Sequence, residues 1–139
     1  MSDPAFDLQV ALVTALTALN TEAGERVYDD VPPESDRESD TGAAWPYISI
    51  GPGNLVPVDE TCWDRSQFFH QIDVWSREIG FPQVKRIAGA IHEALHEKTM
   101  PVDGQTLDRM SIQSISYSRD SDGLTSRARI LLLTETQPA

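Results

Sequence analysis

Residues His92-Glu93-Ala94-Leu95-His96 form the pattern His-Glu-x-x-His, which many zinc metalloproteases use to bind their metal. On a helix, two histidines at this spacing lie one turn apart on one side, so both imidazoles can bind the same zinc ion. The glutamate after the first histidine then acts as general base toward a zinc-bound water. The spacing therefore raises the hypothesis of a small zinc hydrolase that uses His92, Glu93 and His96.

The helix that would carry this motif argues against a zinc site. On a helical wheel that advances by about 100° per residue, both histidines and Glu93 fall outside the apolar stripe, toward solvent. No histidine follows His96 to supply a third imidazole, and His70 alternates with apolar residues in a predicted strand, where we expect a core or interface residue. We therefore predict no metal site here. The apolar stripe consists of Val84, Ile87, Ala88, Ile91 and Leu95.

Other patterns that carry chemistry are missing from the sequence. Asp120-x-Asp122-Gly123 looks like the start of a calcium loop, but the closing glutamate is absent, so a hairpin turn is predicted instead. There is no phosphate-binding glycine loop and no Gly-x-Ser-x-Gly motif. Cys62 is the single cysteine and has no flanking base. We therefore predict a protein that is not an enzyme, with no catalytic residues, no cofactor and no metal.

Length and charge restrict the classes of partner. A chain of 139 residues is predicted to form one domain with its own hydrophobic core. No apolar run approaches the roughly 18 to 20 residues that a membrane span needs, so no membrane partner is expected. The 11 basic and 22 acidic residues give a net charge of −11. Such a surface repels phosphate groups, which argues against specific binding of nucleic acid.

Hydrophobic periodicity predicts an α+β fold. Two helices, one after Asp3-Pro4 and one from about Pro82, are expected to pack on one face of a largely antiparallel or mixed sheet of about four to five strands. Residues 52–66 are predicted to be a long connection, and residues 32–44 a mobile acidic loop of the single domain 1–139. The predicted strands lie at 26–31, 45–51, 67–76, 111–119 and 125–136.

The first helix has two apolar sides. One side, with Leu8, Leu12, Ala15, Leu16 and Leu19, has the spacing of a core-facing stripe. The opposite side carries Phe6, Val10 and Val13, and a helix that is apolar on both sides is usually covered on both. Because the chain is short, a second subunit is one possible cover, and the other is the monomer itself. Two tryptophans in or beside long loops, Trp45 and Trp63, are further candidate interface residues.

The order of sequence blocks along almost the whole chain resembles the tail-completion, or tail-terminator, family of long-tailed phages, prophages and gene transfer agents. The longest block is "DVWSREIGFPQVKRIAGAIHEAL", and "RDSDGLTSRARI" is the next most specific. These blocks are typical of a fold and carry no chemical motif. Shorter blocks that fit the same order are "VALVTALTAL", "VYDDVPP" and "WPYISIG".

The resemblance implies a structural virion protein with an α+β fold. Members of the tail-completion family form a hexameric ring on the last ring of the tail tube, stop tube polymerisation and bind a head-completion or stopper protein. The implied partners are therefore further copies of the chain, the major tail tube protein and a head-completion protein, with genomic DNA passing through without specific binding. The implied location is the head–tail junction of the virion, after assembly in the host cytoplasm. The alternatives are another head–tail connector protein, such as a stopper or adaptor, and the zinc hydrolase.

Overall fold

Three helices and six strands make up the chain in the computed structural model, which describes residues 4–60 and 63–139. The fold class is α+β, as predicted, with one helix and one strand more than the sequence indicated. The helices are α1 (Pro4–Leu19), α2 (Glu34–Thr41) and α3 (Pro82–Leu95). The strands are β1 (Val27–Tyr28), β2 (Tyr47–Ile50), β3 (Asn54–Glu60), β4 (Trp63–Ser76), β5 (Gln105–Arg119) and β6 (Ser126–Pro138).

The strands form one mixed sheet that is organised around β4. The order across the sheet is β1-β2-β4-β6-β5, and β3 also pairs with β4. On one side, β4 is antiparallel to β6 from Ser66 to Ser76. On its other side, β4 pairs antiparallel with β2 and with β3, which follow one another along the same edge. Strand β1 adds to β2 in parallel. As a result, β1 and β5 lie at opposite edges of the sheet.

Helices α1 and α3 pack on one face of the sheet and enclose the hydrophobic core. Alternation along β4 points Phe68, Ile72 and Val74 into this core. The predicted stripe of α3 is fully buried, and Leu8, Leu12 and Leu16 of α1 have no exposed surface. Burial of each such leucine stabilises the fold by about 1.5–3 kcal/mol. Both predicted core-facing stripes are therefore confirmed, with Ala15 and Leu19 at the partly buried margin.

The predicted long connection at 52–66 is wrong. The structure has strand β3 and the start of β4 in this segment, paired from Asn54↔Phe69 to Glu60↔Trp63 as a long hairpin. Strand β3 contains Pro57 and pairs only with β4 within the described chain, so this proline lies in an edge strand. An edge position tolerates proline because a missing N–H on the open side leaves no ladder bond unmade.

The acidic segment 32–44 contains helix α2, where an irregular loop was predicted. Glu34 and Asp36 lie in its first turn, where the helix dipole favours negative charge. Gly42 ends the helix in a left-handed conformation and donates its N–H to the carbonyl of Glu38. Arg37 is buried and donates to the carbonyls of Ala44 (3.0 Å) and Pro32 (2.7 Å), which ties the helix to its flanking segments. The mobility of this segment stays a prediction.

His70 is a core residue, which confirms one of the two interpretations made from the sequence. Its ring is buried, lies 4.5 Å from the Phe68 ring between centroids, and has Nε2 2.9 Å from the hydroxyl oxygen of Thr134. Burial in this apolar setting disfavours the imidazolium and lowers the pKa of His70 to about 4. The histidine is therefore neutral in the folded protein at neutral pH.

The turn between β5 and β6 has the predicted hairpin geometry. Asp120 donates its N–H to the carbonyl of Thr125 at 2.7 Å. The Asp122 carboxylate accepts the N–H groups of Thr125 (2.9 Å) and Leu124 (2.8 Å), and these bonds lower the pKa of Asp122. Gly123 has φ +72°, a conformation that glycine adopts without strain.

Replacing Gly53 by alanine should destabilise the fold more than the same change at Gly123. Gly53 has φ +74°, and an added Cβ would lie 2.3 Å from Cε1 of Phe68 and 2.9 Å from the Phe69 carbonyl. We expect Gly53→Ala to lower the free energy of unfolding by about 2–4 kcal/mol in urea titrations. Gly123→Ala is the matched control, since its φ is similar and nothing lies within 4 Å, and should cost about 1 kcal/mol. Equal losses would contradict the close packing of Phe68 on Gly53.

The depressed pKa of His70 predicts a loss of stability in acid. The unfolded chain takes up the proton near pH 6.5, whereas the folded protein resists protonation until about pH 4. The free energy of unfolding should therefore fall across this window, by about 3 kcal/mol at its lower end. We expect His70→Gln to flatten this part of the stability profile, measured by chemical denaturation at each pH. The exposed His92→Gln is the control, and identical profiles for both variants would contradict the prediction.

Candidate assembly surfaces

The His-Glu-x-x-His segment lies at the end of α3, and one of its histidines contacts the backbone of β5. His92 and Glu93 are exposed on α3, which ends at Leu95. His96 lies just beyond the helix, where its Nδ1 accepts the N–H of Ile112 at 3.0 Å and its ring stacks on His92 at 4.6 Å between centroids. Nowhere in the described chain do three metal-ligating side chains come together. One ring nitrogen of His96 is therefore occupied by a backbone N–H of β5.

The outer side of α1 forms an apolar groove with the segment that precedes β5. Phe6 is 66% exposed and Val10 is 49% exposed, so the monomer leaves both on its surface. Val13 differs, because it is partly buried and packs against the core. The groove has a volume of about 560 Å³, and one buried carboxylate oxygen of Asp7, on its wall, has no hydrogen-bond partner within the described residues. Its opposite wall is formed by Met100, Pro101 and Val102.

Trp45 is held in an aromatic and cationic cluster next to α2. Its indole lies 5.0 Å from the Tyr47 ring between centroids and donates Nε1–H to Glu34 at 3.1 Å. The guanidinium carbons of Arg37 and Arg77 lie 5.1 Å and 4.7 Å from its ring centroid. Trp45 therefore fixes the start of β2 and keeps part of its surface exposed. The other tryptophan predicted from the sequence, Trp63, begins β4, and its side chain lies outside the described part of the chain.

The sheet face opposite α1 and α3 carries a mixture of apolar and charged groups. Phe69 and Leu131 are about 40% exposed near its centre. Arg129 donates to the Asp73 carboxylate at 3.0 Å, and Asp73 is buried while the guanidinium reaches solvent. This face was predictable from the alternation of β4, whose outward residues include Phe69 and Asp73. Which residues of β6 lie beside them could be known only from the register of the two strands.

Another surface, which the sequence did not reveal, lies where α3 begins and β5 ends. We call it the cationic patch, and it consists of Phe81, Lys85, Tyr117 and Arg119. The Lys85 ammonium lies 5.2 Å from the Tyr117 ring centroid, and the Arg119 guanidinium carbon lies 5.3 Å from that of Phe81. The two contacts, Lys85 with Tyr117 and Arg119 with Phe81, join residues more than 30 positions apart in sequence, so only the tertiary structure brings them together. The signal in the sequence was limited to two basic residues in a strongly acidic chain.

Comparison with known families gives the assignment. A family model described as tail completion protein gp17 matches residues 9–134, which is most of the 139-residue chain. The chain belongs to this family. The matched range runs from α1 to β6 and includes the surfaces described above, except Phe6 and Asp7 at the start of the α1 groove. Membership makes it a structural protein of a phage-type tail.

Solved structures share the fold of this tail completion protein. A chain from the "virion of native gene transfer agent (GTA) particle" is 22% identical, with a TM-score of 0.77 and 94% of each chain covered. A second solved chain is 12% identical, with a TM-score of 0.57, and the alignment covers 96% of this chain and 94% of the other. No curated protein matches the sequence. Among the described helices of the tail completion protein, none has the length and apolar character needed to span a membrane.

Proposed function

We propose that this tail completion protein forms a ring, of six subunits, that ends the tail tube and joins it to the head. The observation that carries the proposal is the family match over residues 9–134. The fold likeness to a chain of the gene transfer agent virion supports it, because that chain is part of an assembled particle. The ring lies at the head–tail junction of the virion, and its subunits assemble in the host cytoplasm.

Termination of a tube requires a subunit that binds the growing end and does not present the same surface again. A tube made of stacked rings offers an identical surface after each addition, so polymerisation has no internal stop. A ring closes when a heterologous contact between subunits has the matching rotation. The tail completion protein supplies such a ring, with one side for the major tail tube protein and the other for a head-completion protein.

The chain serves this role without catalysing a reaction. In the only motif with catalytic spacing, His96 accepts a backbone N–H of β5, and His92 and Glu93 are exposed on α3. The net charge of −11 supports passage of genomic DNA through the ring without specific binding, because acidic groups repel phosphates. No cofactor or metal is part of the proposal.

The groove along α1 is the first candidate for a contact in the ring. Phe6 and Val10 are large apolar side chains left on the surface, and apolar groups of this kind form the centre of stable subunit contacts. Val13 supports the same helix from the core side. Trp45 is a second candidate, because part of its surface stays exposed beside α2. Trp63 stays a candidate on the sequence prediction alone.

Particles made without this protein should have tails of uncontrolled length. The tube protein then continues to polymerise, since nothing occupies its growing end. Electron microscopy of lysates from cells that lack the gene should reveal overlong tails without heads, and the wild-type gene supplied in trans should restore normal particles. Normal tails joined to heads in its absence would refute the proposed function. Tails of normal length without heads would instead indicate a connector that acts after termination.

Aspartate at Val10 should prevent ring formation without unfolding the subunit. Val10 is half exposed, so the charge stays in contact with water in the monomer and lies in an apolar contact only after assembly. We expect Val10→Asp to keep the wild-type melting temperature and to remain monomeric in native mass spectrometry with the tube protein. Val13→Asp is the matched contrast, because it places the charge against the core and should lower the free energy of unfolding by about 2 kcal/mol. A normal ring formed by Val10→Asp would exclude this side of α1 from the contact.

A further inference from the structure

The cationic patch places two positive charges on the surface of the subunit. Lys85, Tyr117 and Arg119 are all exposed. Neither cation has a salt bridge to any residue in the described ranges 4–60 and 63–139. Two carboxylates of the neighbouring turns pair with other arginines, since Asp122 lies 3.6 Å from Arg77 and Glu78 lies 3.8 Å from Arg86. A third, Asp120, accepts the N–H of Ser121 at 3.0 Å. A chain with twice as many acidic as basic residues thus keeps two cations together that contact aromatic rings and form no salt bridge within the described residues.

Apolar side chains flank this patch at the same end of the sheet. Ile79, in the turn before α3, is 96% exposed, and Leu124, in the turn between β5 and β6, is 66% exposed. The register places both turns together, because Arg119 and Ser76 each pair with Ser126. Exposed apolar groups beside cations are typical of a surface that binds protein. The overall charge of −11 argues against nucleic acid as the ligand.

The patch also borders the part of β5 that the fold leaves open. Farther down the strand, the outer edge is covered, because Ile112 donates its N–H to His96 and Glu97 donates its N–H to the carbonyl of Met110 at 2.8 Å. From Ser114 to Arg119, no described segment pairs with the outer side of β5. A neighbouring subunit can therefore approach the patch directly at this edge.

The opposite edge of the sheet carries the complementary charge. Helix α2, between β1 and β2, exposes Asp36, Glu38 and Asp40, and none of them has a salt bridge in the described chain. Its one basic residue, Arg37, is buried against Trp45 and Tyr47 and does not neutralise the exposed side. The outer surface of α2 is therefore uniformly acidic.

Sheet topology gives these two surfaces the arrangement that a ring needs. The order β1-β2-β4-β6-β5 puts α2 on one lateral edge and the patch on the other. Both lie at the same end of the strands, since Tyr47 pairs with Trp75 and Arg119 pairs with Ser126, the partner of Ser76. In a cyclic assembly the subunit contact is heterologous, so one edge of a subunit can face the opposite edge of the next copy.

We propose that the cationic patch of one subunit binds the acidic side of α2 in the neighbouring copy. This inference rests on the proposed ring and names one of its contacts. Lys85 and Arg119 lie opposite Glu38 and Asp40, while Leu124 and Ile79 exclude water beside them. The charges set the order of subunits, because two patches or two acidic helices repel one another.

Charge reversal tests this contact. We expect Lys85→Glu with Arg119→Glu to weaken the subunit contact by about tenfold or more in native mass spectrometry and sedimentation. Glu38→Lys with Asp40→Lys should do the same, and it should fold normally because cations near a helix C-terminus are favourable. A chain that carries all four changes should assemble again. Lys98→Glu, at the other end of α3, is the matched control and should assemble like the wild type.

The outcomes separate this contact from the ring itself. If the wild-type chain forms rings and the patch variant assembles as well as Lys98→Glu, the contact is refuted and the ring stands. A second outcome is that both reversed variants and the chain with all four changes do not assemble, while their melting temperatures are normal. Direct pairing between the patch and α2 is then refuted. If the wild-type chain stays monomeric alone and with the tube protein, the ring and this contact are both refuted.

Discussion

The pairing of β4 along both of its edges is the constraint on which the rest of the structure depends. This strand of 14 residues pairs with β6 on one side and with β2 and β3 in succession on the other. Side chains alternate between the two faces, so a shift of one residue would exchange Ile72 and Val74 for Asp73 and Trp75 in the core. The register of β4 therefore fixes where α1 and α3 pack and which face of the sheet stays uncovered.

An open sheet leaves two edges, and the chain treats them differently. At one edge, β1 is only two residues long and β3 contains Pro57, features that discourage pairing with another strand. At the other edge, His96 and Glu97 cover the middle of β5 and leave its end accessible. This asymmetry suits a heterologous contact between copies, because the two edges of one subunit present different chemistry. The segment with the zinc-motif spacing therefore has a structural role, because its last histidine covers part of the β5 edge.

Strong periodicity made much of the fold predictable. The stripes of α1 and α3 and the alternation of β4 stand out because each buries one side against the core. Helix α2 was missed because it is short and acidic, and its tertiary contacts depend on Arg37, whose partners lie at Pro32 and Ala44. Strand β3 was missed because residues 52–66 were interpreted as a connection, and only the tertiary structure shows that residues 54–60 pair with β4. The cationic patch could not be predicted, since α3 and β5 meet only after the sheet has formed.

Assembly of so acidic a subunit depends on contacts at short range. Copies with a charge of −11 repel one another, yet salt screens exposed charges beyond about 8 Å at physiological ionic strength. Within that distance, the groove of α1 offers apolar burial and the cationic patch offers opposite charge. In the proposed ring, burial of the groove would supply most of the affinity and the cationic patch would supply direction, because apolar contacts alone do not distinguish one edge from the other. The remaining acids are then free to keep DNA from binding in the proposed channel.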